Sequence, residues 1–407
     1  MPEAVIVDAV RTPIGRAFKG SLTQVRPDDL GALVVDRLLE RNPELSPADV
    51  EDLICGCGLP QGEQSYNVGR TIGLLSRLPD TTTATTVHRY CASSLQAIRM
   101  AAHAVNAGEG DTFVAAGVEH VSRVGPWSED GLPQIMGMII DNAPEGVKDQ
   151  IPRPAFKNEK IDGHDGRTDA YLAMGETAEN VAERWDIKRD DMDRYAQRSQ
   201  ERAVEARDSG FFDREIVPVE LPEGSTVDKD DGPRADSSFE RLQQLKPAFR
   251  ENGRVTAGNS CPMNDGAAAV LVMSDHRANE LDLNPRARIV ASATSGLEPE
   301  IMGVAPIGAI RKVLERAAMS IDDVDIVELN EAFAAQVIPI ADEIEIDHDK
   351  LNPHGGAIAL GHPFGMTGAR IMTTLLNGLE TADKTIGLET MCVAGGQGMA
   401  MIVERLR

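Results

Sequence analysis

A glycine-rich stretch with two histidines is the part of this sequence best suited to chemistry. Residues 352–368 read NPHGGAIALGHPFGMTG and lead directly into an apolar helical pattern at 369–376. Repeated glycine is costly for folding and is used where the backbone needs a positive φ or a close approach to another group. His362 is therefore predicted to be a catalytic base held by this loop, with His354 as a competitor in the same loop.

Two cysteines and one asparagine are candidate partners for that base. Cys91 precedes an apolar helical pattern, where free backbone N–H groups and the helix dipole are expected to favour its thiolate. The alternative is that Cys91 is one more small core residue. Cys392 stands at a strand-to-glycine turn whose N–H groups can form an oxyanion site, and Asn330 follows an apolar strand where its amide could orient a water. Together these residues suggest acyl transfer through a thioester.

Composition excludes several other classes of protein. A formal net charge of −24 disfavours nucleic acid and anionic membrane as partners, since both require a basic face. Five cysteines, an odd number in a long chain, argue against a disulfide framework, and the pair Cys55 and Cys57 lies in a buried-strand pattern. No apolar run reaches the roughly 18 residues of a membrane helix, and the N-terminus does not read as a signal peptide. A cytoplasmic protein is expected.

The remaining pattern predicts an α/β fold. Apolar runs at 4–10, 53–57, 85–89 and 113–118 are typical of buried strands, and helical patterns alternate with them. This alternation predicts a largely parallel sheet. Residues 124–250 are irregular in composition, apart from helices at 175–185 and 190–207, and are interpreted as an inserted loop-rich subdomain. Five basic residues within 233–254 suggest a site for an anionic substrate.

The third part of the chain repeats features of the first. LSPADVEDL at 45–53 matches MSIDDVDIV at 319–327, an offset of 274 residues (319 − 45) that places Cys91 level with Gly365. Duplication is the more economical explanation, although a nine-residue match could arise by chance. We therefore expect two pseudo-symmetric halves at 1–275 and 285–407, facing each other so that the two helix entrances meet.

Four motifs, in order along the chain, resemble those of the thiolases. They are HRYCASSLQ at 88–96, NEAF at 330–333, GGAIALGHP at 355–363 and CVAGG at 392–396. VTAGN at 255–259 and NDGAA at 264–268 are also similar to that family. The resemblance spans nearly the whole chain and implies a layered αβαβα fold, with the loop subdomain inserted in the first half.

The resemblance also implies a reaction. A 3-ketoacyl-CoA would be cleaved by a second CoA to acetyl-CoA and a shortened acyl-CoA, in fatty-acid or steroid side-chain β-oxidation. Cys91 would attack the keto carbon and carry the acyl group while His362 takes its proton. Cys392 would protonate the leaving enolate and later deprotonate the incoming CoA. Asn330 would hold a water in one oxyanion site, and the N–H groups of Cys91 and Ala394 would form the other.

Binding roles and assembly follow from the same resemblance. Arg234 and Ser260 would contact CoA, and Met174 would belong to the acyl-pocket loop. CoA would be a co-substrate, with no permanently bound cofactor and no metal. Because thiolases are dimers or tetramers of dimers, a homodimer or homotetramer is implied.

Four residues depart from the family pattern. His88 and His354 stand where asparagine is usual, Ala394 replaces the commoner glycine, and Ala173 implies a wider acyl pocket. Three alternatives stay open: a biosynthetic acetoacetyl-CoA thiolase, a non-catalytic acyl-CoA or lipid-binding protein on the same fold, and a decarboxylating condensing enzyme. Cys392 weakens the last, because such enzymes generally carry histidine there.

Overall fold

The computed structural model describes residues 2–124, 158–166 and 168–406. Residues 125–157 of the predicted loop-rich subdomain therefore lie outside the described residues. The two helices predicted within it are present, as Met174–Arg184 and Arg189–Asp208.

One mixed sheet runs through the described part of the chain. Its strands are β1 (Ala4–Arg11), β2 (Gly15–Arg16), β3 (Asp52–Cys57), β4 (Thr83–Val87), β5 (Thr112–His120), β8 (Asn264–Ser274), β9 (Ala287–Gly296), β10 (Ile326–Leu329), β11 (Ile386–Val393) and β12 (Gln397–Arg405), while β6 (Val219–Glu220) and β7 (Thr226–Val227) form a separate ribbon. The order across the large sheet is β10-β11-β12-β9-β1-β8-β5-β3-β4, with β2 paired to β8.

The prediction of a largely parallel sheet is wrong. The parallel pairs are β3–β4, β3–β5 and β10–β11, and the other pairings of the large sheet are antiparallel. The error has a physical cause in strands such as β1, which is buried along its whole length and pairs antiparallel with both neighbours. A strand covered on both faces is a continuous apolar run whichever way it points, so its sequence does not reveal its direction.

Helices cover both faces of the sheet. The α-helices in the described part of the chain are α1 (Pro27–Arg41), α2 (Val68–Leu75), α3 (Ser93–Ala107), α4 (Met174–Arg184), α5 (Arg189–Asp208), α6 (Phe239–Gln243), α7 (Asp275–Glu280), α8 (Pro306–Ala317), α9 (Ala334–Ile344), α10 (Ala357–Leu360) and α11 (Thr367–Thr381).

The helices and the two halves of the sheet form five layers. Helices α3 and α11 pack against each other and against both halves of the sheet, in one central core. Helices α1 and α2 cover the outer face of β3, β5 and β8, and α8 covers the outer face of β9 and β12 with α9 packed on it. Helix α11 is buried at every position from Thr367 to Leu379, as expected of a helix in the middle layer. The implied αβαβα architecture is confirmed.

The internal repeat is visible in the fold. The offset of 274 residues carries α3, Ser93–Ala107, onto α11, Thr367–Thr381, at both ends. It also carries the single 3-10 turn Pro47–Asp49 onto Ile321–Asp323. This agreement favours duplication over a chance match, while the boundaries 1–275 and 285–407 remain predictions.

Candidate active site

A strained turn places Cys91 at the start of α3. Tyr90, just before it, has a φ of +43°, which is unusual for a side chain of this size. The Ser93 hydroxyl fixes the turn by accepting from the Arg89 N–H at 2.9 Å and donating to the Tyr90 carbonyl at 2.7 Å. Cys91 is 9% exposed, so the turn leaves it open only to a narrow approach.

The environment of the Cys91 thiol corrects one expectation. Its own N–H and that of Ala394 lower the pKa of the thiol, which favours a thiolate. Burial outweighs them and raises the pKa of the Cys91 thiol well above its usual range, so the expected thiolate is not the resting form. The thiol must therefore lose its proton to a neighbouring base as it reacts. The same two N–H groups are the pair that the resemblance assigns to an oxyanion site.

The two helix entrances meet, as the repeat predicted. The Ala369 N–H donates to the Ser94 hydroxyl at 2.9 Å across the pseudo-symmetric pair. A Cβ on Gly368 would lie 2.3 Å from the Leu95 nitrogen, and one on Gly365 would lie 2.2 Å from the Val118 carbonyl oxygen. Glycine is required at both positions because backbone atoms of the other half occupy the space.

His362 is held at three points in the loop before α11. Its backbone N–H donates to Asn264 Oδ1 at 2.9 Å. Gly361 has a φ of +116°, and a Cβ there would lie 2.6 Å from the Asn264 side chain. The ring contacts Thr367 Oγ1 through Nδ1 at 2.7 Å and Asn330 Nδ2 through Nε2 at 3.2 Å.

These contacts decide which ring nitrogen carries the proton. The Thr367 hydroxyl donates its single hydrogen to the Pro363 carbonyl at 2.8 Å, so it accepts from Nδ1–H of His362. The lone pair is then on Nε2, the nitrogen beside Asn330. Burial, with a smaller contribution from Arg370, lowers the pKa of His362 to about 3. The ring is therefore neutral near pH 7 and available as a base at Nε2.

Asn330 contacts His362 through its amide nitrogen, and its amide oxygen is a buried acceptor. Asn330 comes directly after β10 and is 1% exposed. Its Oδ1 has no hydrogen-bond partner among the described residues. An unpaired buried amide oxygen is costly in a dry interior. The arrangement suits the expected role of orienting a water next to Nε2.

One carboxylate organises the loop that carries His362. Glu331 accepts from Tyr195 at 2.8 Å and Ser199 at 2.6 Å on α5, and from Asn352 Nδ2 at 2.8 Å. It also accepts from the Ile358 N–H at 3.2 Å. A Cβ on Gly356 would lie 2.2 Å from this carboxyl group, which explains the glycine there.

Cys392 is a second buried thiol at the end of β11. It is 1% exposed, and burial raises its pKa to about 12. Gln336 Nε2 donates to its sulfur at 2.9 Å. Cys91, Cys392 and Cys261 are close enough to interact electrostatically, and burial also raises the pKa of Cys261. The structure thus pairs Cys91 with Cys392, and His362 with Asn330. The Asn330 N–H also donates at 3.0 Å to the carbonyl of Thr390, two residues before Cys392.

A cavity of about 240 Å³ leads to the loop of His362. Its lining includes Arg16, Arg234, Ile358 and Ala359. Within the described residues, the guanidinium groups of Arg16 and Arg234 have no hydrogen-bond or ion-pair partner. Two unpaired cations next to apolar loop residues could hold a ligand with a charged end and a long neutral arm.

The other predicted binding residues fall in different places. The hydroxyl of Ser260 is buried and donates to the Thr256 carbonyl, so it does not line this cavity. Met174 begins α4 and packs against the core cluster that contains Cys392. Within the basic segment, Arg250 pairs with Glu176 at 2.7 Å and Arg254 donates to helix α4 and the residues after it. Most of that predicted charge is structural.

The departures from the family pattern have simple structural settings. His354 stacks on Phe211 with ring centroids 3.7 Å apart, lines a different cavity, and is not a rival base. His88 Nδ1 lies 3.2 Å from the Cys57 carbonyl oxygen. Ala394 is not among the residues with positive φ, so a side chain there causes no backbone strain.

Sequence reasoning missed three residues that hold the site together: Thr367, Gln336 and Glu331. Each is a polar side chain, buried to within 1% of full burial, next to or inside an apolar pattern. Buried polar groups in such a pattern need partners, and this signal was present in the sequence.

Two family models of known proteins match this chain. The chain matches the family model of the thiolase N-terminal domain over residues 4–276 and that of the thiolase C-terminal domain over residues 283–405. The chain belongs to the thiolase family. As such it is an acyltransferase, and the chemistry of the family is thiolytic cleavage of acyl-CoA.

Three relatives illustrate this membership. The chain is 45% identical to a "Beta-ketoadipyl-CoA thiolase" of Acinetobacter baylyi over 100% of both chains. It is 39% identical to a "3-ketoacyl-CoA thiolase" of Bacillus subtilis, over 99% of this chain and 100% of that one. The crystal structure of the Bacillus anthracis acetyl-CoA acetyltransferase superposes with a TM-score of 0.87 and 37% identity, over 100% of this chain and 99% of that one. Among the described residues, no helix has the length and apolar character needed to cross a membrane.

Proposed function

We propose that this thiolase cleaves 3-ketoacyl-CoA with CoA to acetyl-CoA and a shortened acyl-CoA, through an acyl thioester on Cys91. The observation that carries the proposal is the junction of the two helix entrances. It supports a site in which the Cys91 thiol, the neutral imidazole of His362 and the Cys392 thiol act together.

In the first half-reaction, Cys91 gives its proton to His362 Nε2 and its sulfur attacks the keto carbon. The bond between that carbon and the α-carbon breaks, leaving the acyl group on sulfur. The departing acetyl-CoA enolate takes the proton of Cys392, which becomes a thiolate. The N–H groups of Cys91 and Ala394 and a water on Asn330 stabilise the negative oxygens that form.

In the second half-reaction, the Cys392 thiolate takes the proton of the incoming CoA thiol. The CoA sulfur attacks the acyl thioester, and Cys91 leaves as a thiolate that recovers its proton from His362. All protons are returned, so one cycle leaves the enzyme unchanged. Two thiols and an imidazole suffice to move every proton of the cycle.

Arg16 and Arg234 are proposed to hold the phosphates of CoA. Their cavity reaches Ile358 and Ala359 of the catalytic loop, so a pantetheine arm can extend from the two cations towards Cys91. A double variant Arg16→Ala/Arg234→Ala should raise KM for CoA with little change in kcat, and unchanged KM would remove this assignment.

The preferred acyl chain is proposed to be short and to end in a carboxylate. This rests on the names of relatives from Acinetobacter baylyi and Escherichia coli that are 44–45% identical over the full chain. It replaces the fatty-acid and steroid side chains expected from the sequence as the leading choice. A panel should compare kcat/KM for 3-oxoadipyl-CoA, straight-chain 3-ketoacyl-CoA and steroid side-chain thioesters, and a lower value for the first would overturn the choice.

The central experiment is detection of the acyl-enzyme. Incubation with a 3-ketoacyl-CoA should add the mass of the acyl group to the peptide that contains Cys91. An adduct on another residue, or one that persists in Cys91→Ala, would contradict the mechanism.

A biosynthetic role is the second candidate, favoured by the likeness to the Bacillus anthracis acetyl-CoA acetyltransferase. It predicts that acetoacetyl-CoA is the best substrate of the panel and that two acetyl-CoA condense at a measurable rate. Poor activity on acetoacetyl-CoA would exclude it.

A homo-oligomer in the cytoplasm is also proposed. Strand β4 is the last strand of the sheet order and leaves one edge unpaired within the described part of the chain. Three apolar or aromatic side chains near this edge are at least half exposed in the single chain: Tyr66, Leu74 and Leu75. Such side chains are typical of a surface that a second subunit covers. Light scattering should give a mass of two or four chains, and cell fractionation tests the location.

A further inference from the structure

Gln336 makes a short contact with Cys392 that the reaction outlined above does not use. It lies on the first turn of α9, is 1% exposed, and its Nε2 donates to the Cys392 sulfur at 2.9 Å. No other side-chain hydrogen bond to this sulfur is present in the described ranges. A glutamine in the run Ala334-Ala335-Gln336-Val337 is out of place for packing alone, because the neighbouring buried positions are apolar.

The two thiols of the site therefore differ in how they are supported. Cys91 receives donors from the backbone, which no side-chain substitution removes. Cys392 also has its own backbone N–H beside it, but it receives in addition a hydrogen bond from a side chain at the start of a helix. A hydrogen bond donated to sulfur stabilises the thiolate more than the thiol and opposes the effect of burial.

The other end of the amide is free. Gln336 Oε1 is buried and has no hydrogen-bond partner among the described residues. It faces Gly303, where a Cβ would lie 2.6 Å from it, so glycine leaves room for the amide. An amide with one end unpaired can exchange its ends without breaking another hydrogen bond, presenting N–H to a thiolate or C=O to a thiol.

We propose that Gln336 is the positioning residue of Cys392. Its N–H, which faces the sulfur in this structure, donates to the thiolate after proton transfer, and its C=O can turn to accept from the S–H when the thiol is protonated. This inference rests on the proposed acid–base role of Cys392. It assigns to Gln336 the task of keeping the sulfur oriented and its proton transferable in both half-reactions.

The test measures the Cys392 thiol directly, in a Cys91→Ala background that needs no turnover. Iodoacetamide alkylation of Cys392 is followed from pH 8 to 10 by mass spectrometry of its peptide, which separates it from Cys261. Gln336→Leu should lower the alkylation rate about tenfold at each pH, equivalent to about one pKa unit for one lost hydrogen bond to a charged group. Gln336→Glu should lower it further, because a carboxylate repels the thiolate.

The control is Gln197→Leu, which removes a partly buried glutamine on α5 and should leave the alkylation of Cys392 unchanged. Circular dichroism and thermal melting confirm that each variant is folded. An unchanged alkylation rate in a folded Gln336→Leu variant would overturn the inference. If alkylation slows but turnover of Gln336→Leu with Cys91 intact is normal, Gln336 holds Cys392 as stated and the acid–base role of Cys392 is wrong.

In the enzyme with Cys91 intact, the same substitution should leave the amount of acylated Cys91 unchanged in a single turnover and slow the thiolysis step about tenfold, by the same arithmetic. A purely structural role would reduce both.

Discussion

The entrances of α3 and α11 are related by the internal repeat, yet one presents the proposed nucleophile and the other the proposed base. The entrance of α3 is a tight turn in which Tyr90 has positive φ and Ser93 closes the hydrogen bonds. The entrance of α11 follows a long loop with its own short helix, α10, held by Glu331 and Asn264. The thiol at the first entrance needs little more than backbone N–H groups, whereas the imidazole at the second needs side-chain partners on both ring nitrogens. A duplicated scaffold can thus divide one reaction between its two copies by changing the loops alone.

The largest loss of activity is expected from a substitution at the entrance of α3. Cys91→Ser should lower turnover by more than about 10⁴-fold, because a neutral hydroxyl cannot replace the thiol nucleophile opposite a base of low pKa. Steady-state thiolysis measures the loss. Cys55→Ser, in a buried strand outside the site, serves as the control, and residual activity above 1% in Cys91→Ser would mean that another group carries the acyl chain.

The second entrance should be sensitive at Thr367. Thr367→Val keeps the shape but removes the acceptor for His362 Nδ1–H, so kcat should fall about 10- to 100-fold, the equivalent of a lost hydrogen bond of about 1.5–3 kcal/mol. Thr367→Ser retains the hydroxyl and should stay close to wild type. Equal activity of the two variants would show that the tautomer is fixed by another contact.

The contact between the entrances should be sensitive to one methyl group. Gly368→Ala would place a Cβ 2.3 Å from the Leu95 nitrogen, and the free energy of unfolding should fall by about 1–3 kcal/mol or more. Gly73→Ala, on α2, meets side-chain atoms only at 3.6 Å and beyond, and should be neutral or slightly stabilising. Urea denaturation of both variants is the measurement, and equal stability would contradict the close approach.

The smallest effect is expected at His354, which shares the loop with His362 but not its chemistry. Burial, together with Arg214 and Arg202, lowers the pKa of His354 to about 4, below the value of about 6.5 in an unfolded chain. Between these values the unfolded state binds a proton that the folded state does not, so stability is lost as pH falls from about 6.5 to 4. His354→Asn should reduce the loss of stability between pH 7.5 and 5 while leaving thiolysis at pH 7.5 unchanged. A variant with the same pH dependence of unfolding as wild type, or with impaired thiolysis, would contradict this reading.

The sequence predicted the layered fold, the helix pair α3 and α11, and the meeting of their two entrances. It did so because motif order and an internal repeat survive as patterns of residue type. It did not predict the direction of strands such as β1, since burial on both faces hides direction. It also gave the wrong protonation state for Cys91, because the helix N-terminus is visible in sequence and the amount of burial is not. Ser260 carries the expected residue type, but its hydroxyl is turned to the Thr256 carbonyl, and only coordinates show which way a side chain points. The role of Gln336 depends on a contact 56 residues away along the chain, which no local pattern encodes.

The carboxylate of Glu331 has a consequence for how this protein can change over generations. Four donors, from Tyr195, Ser199, Asn352 and the backbone of Ile358, converge on it, and Gly356 leaves space for it. Replacing Glu331 alone would leave several buried donors unpaired, and replacing any one donor would leave part of a buried charge unmatched. We therefore expect these positions to be inherited together. Substitutions among natural variants should accumulate elsewhere in the catalytic loop before they reach this set.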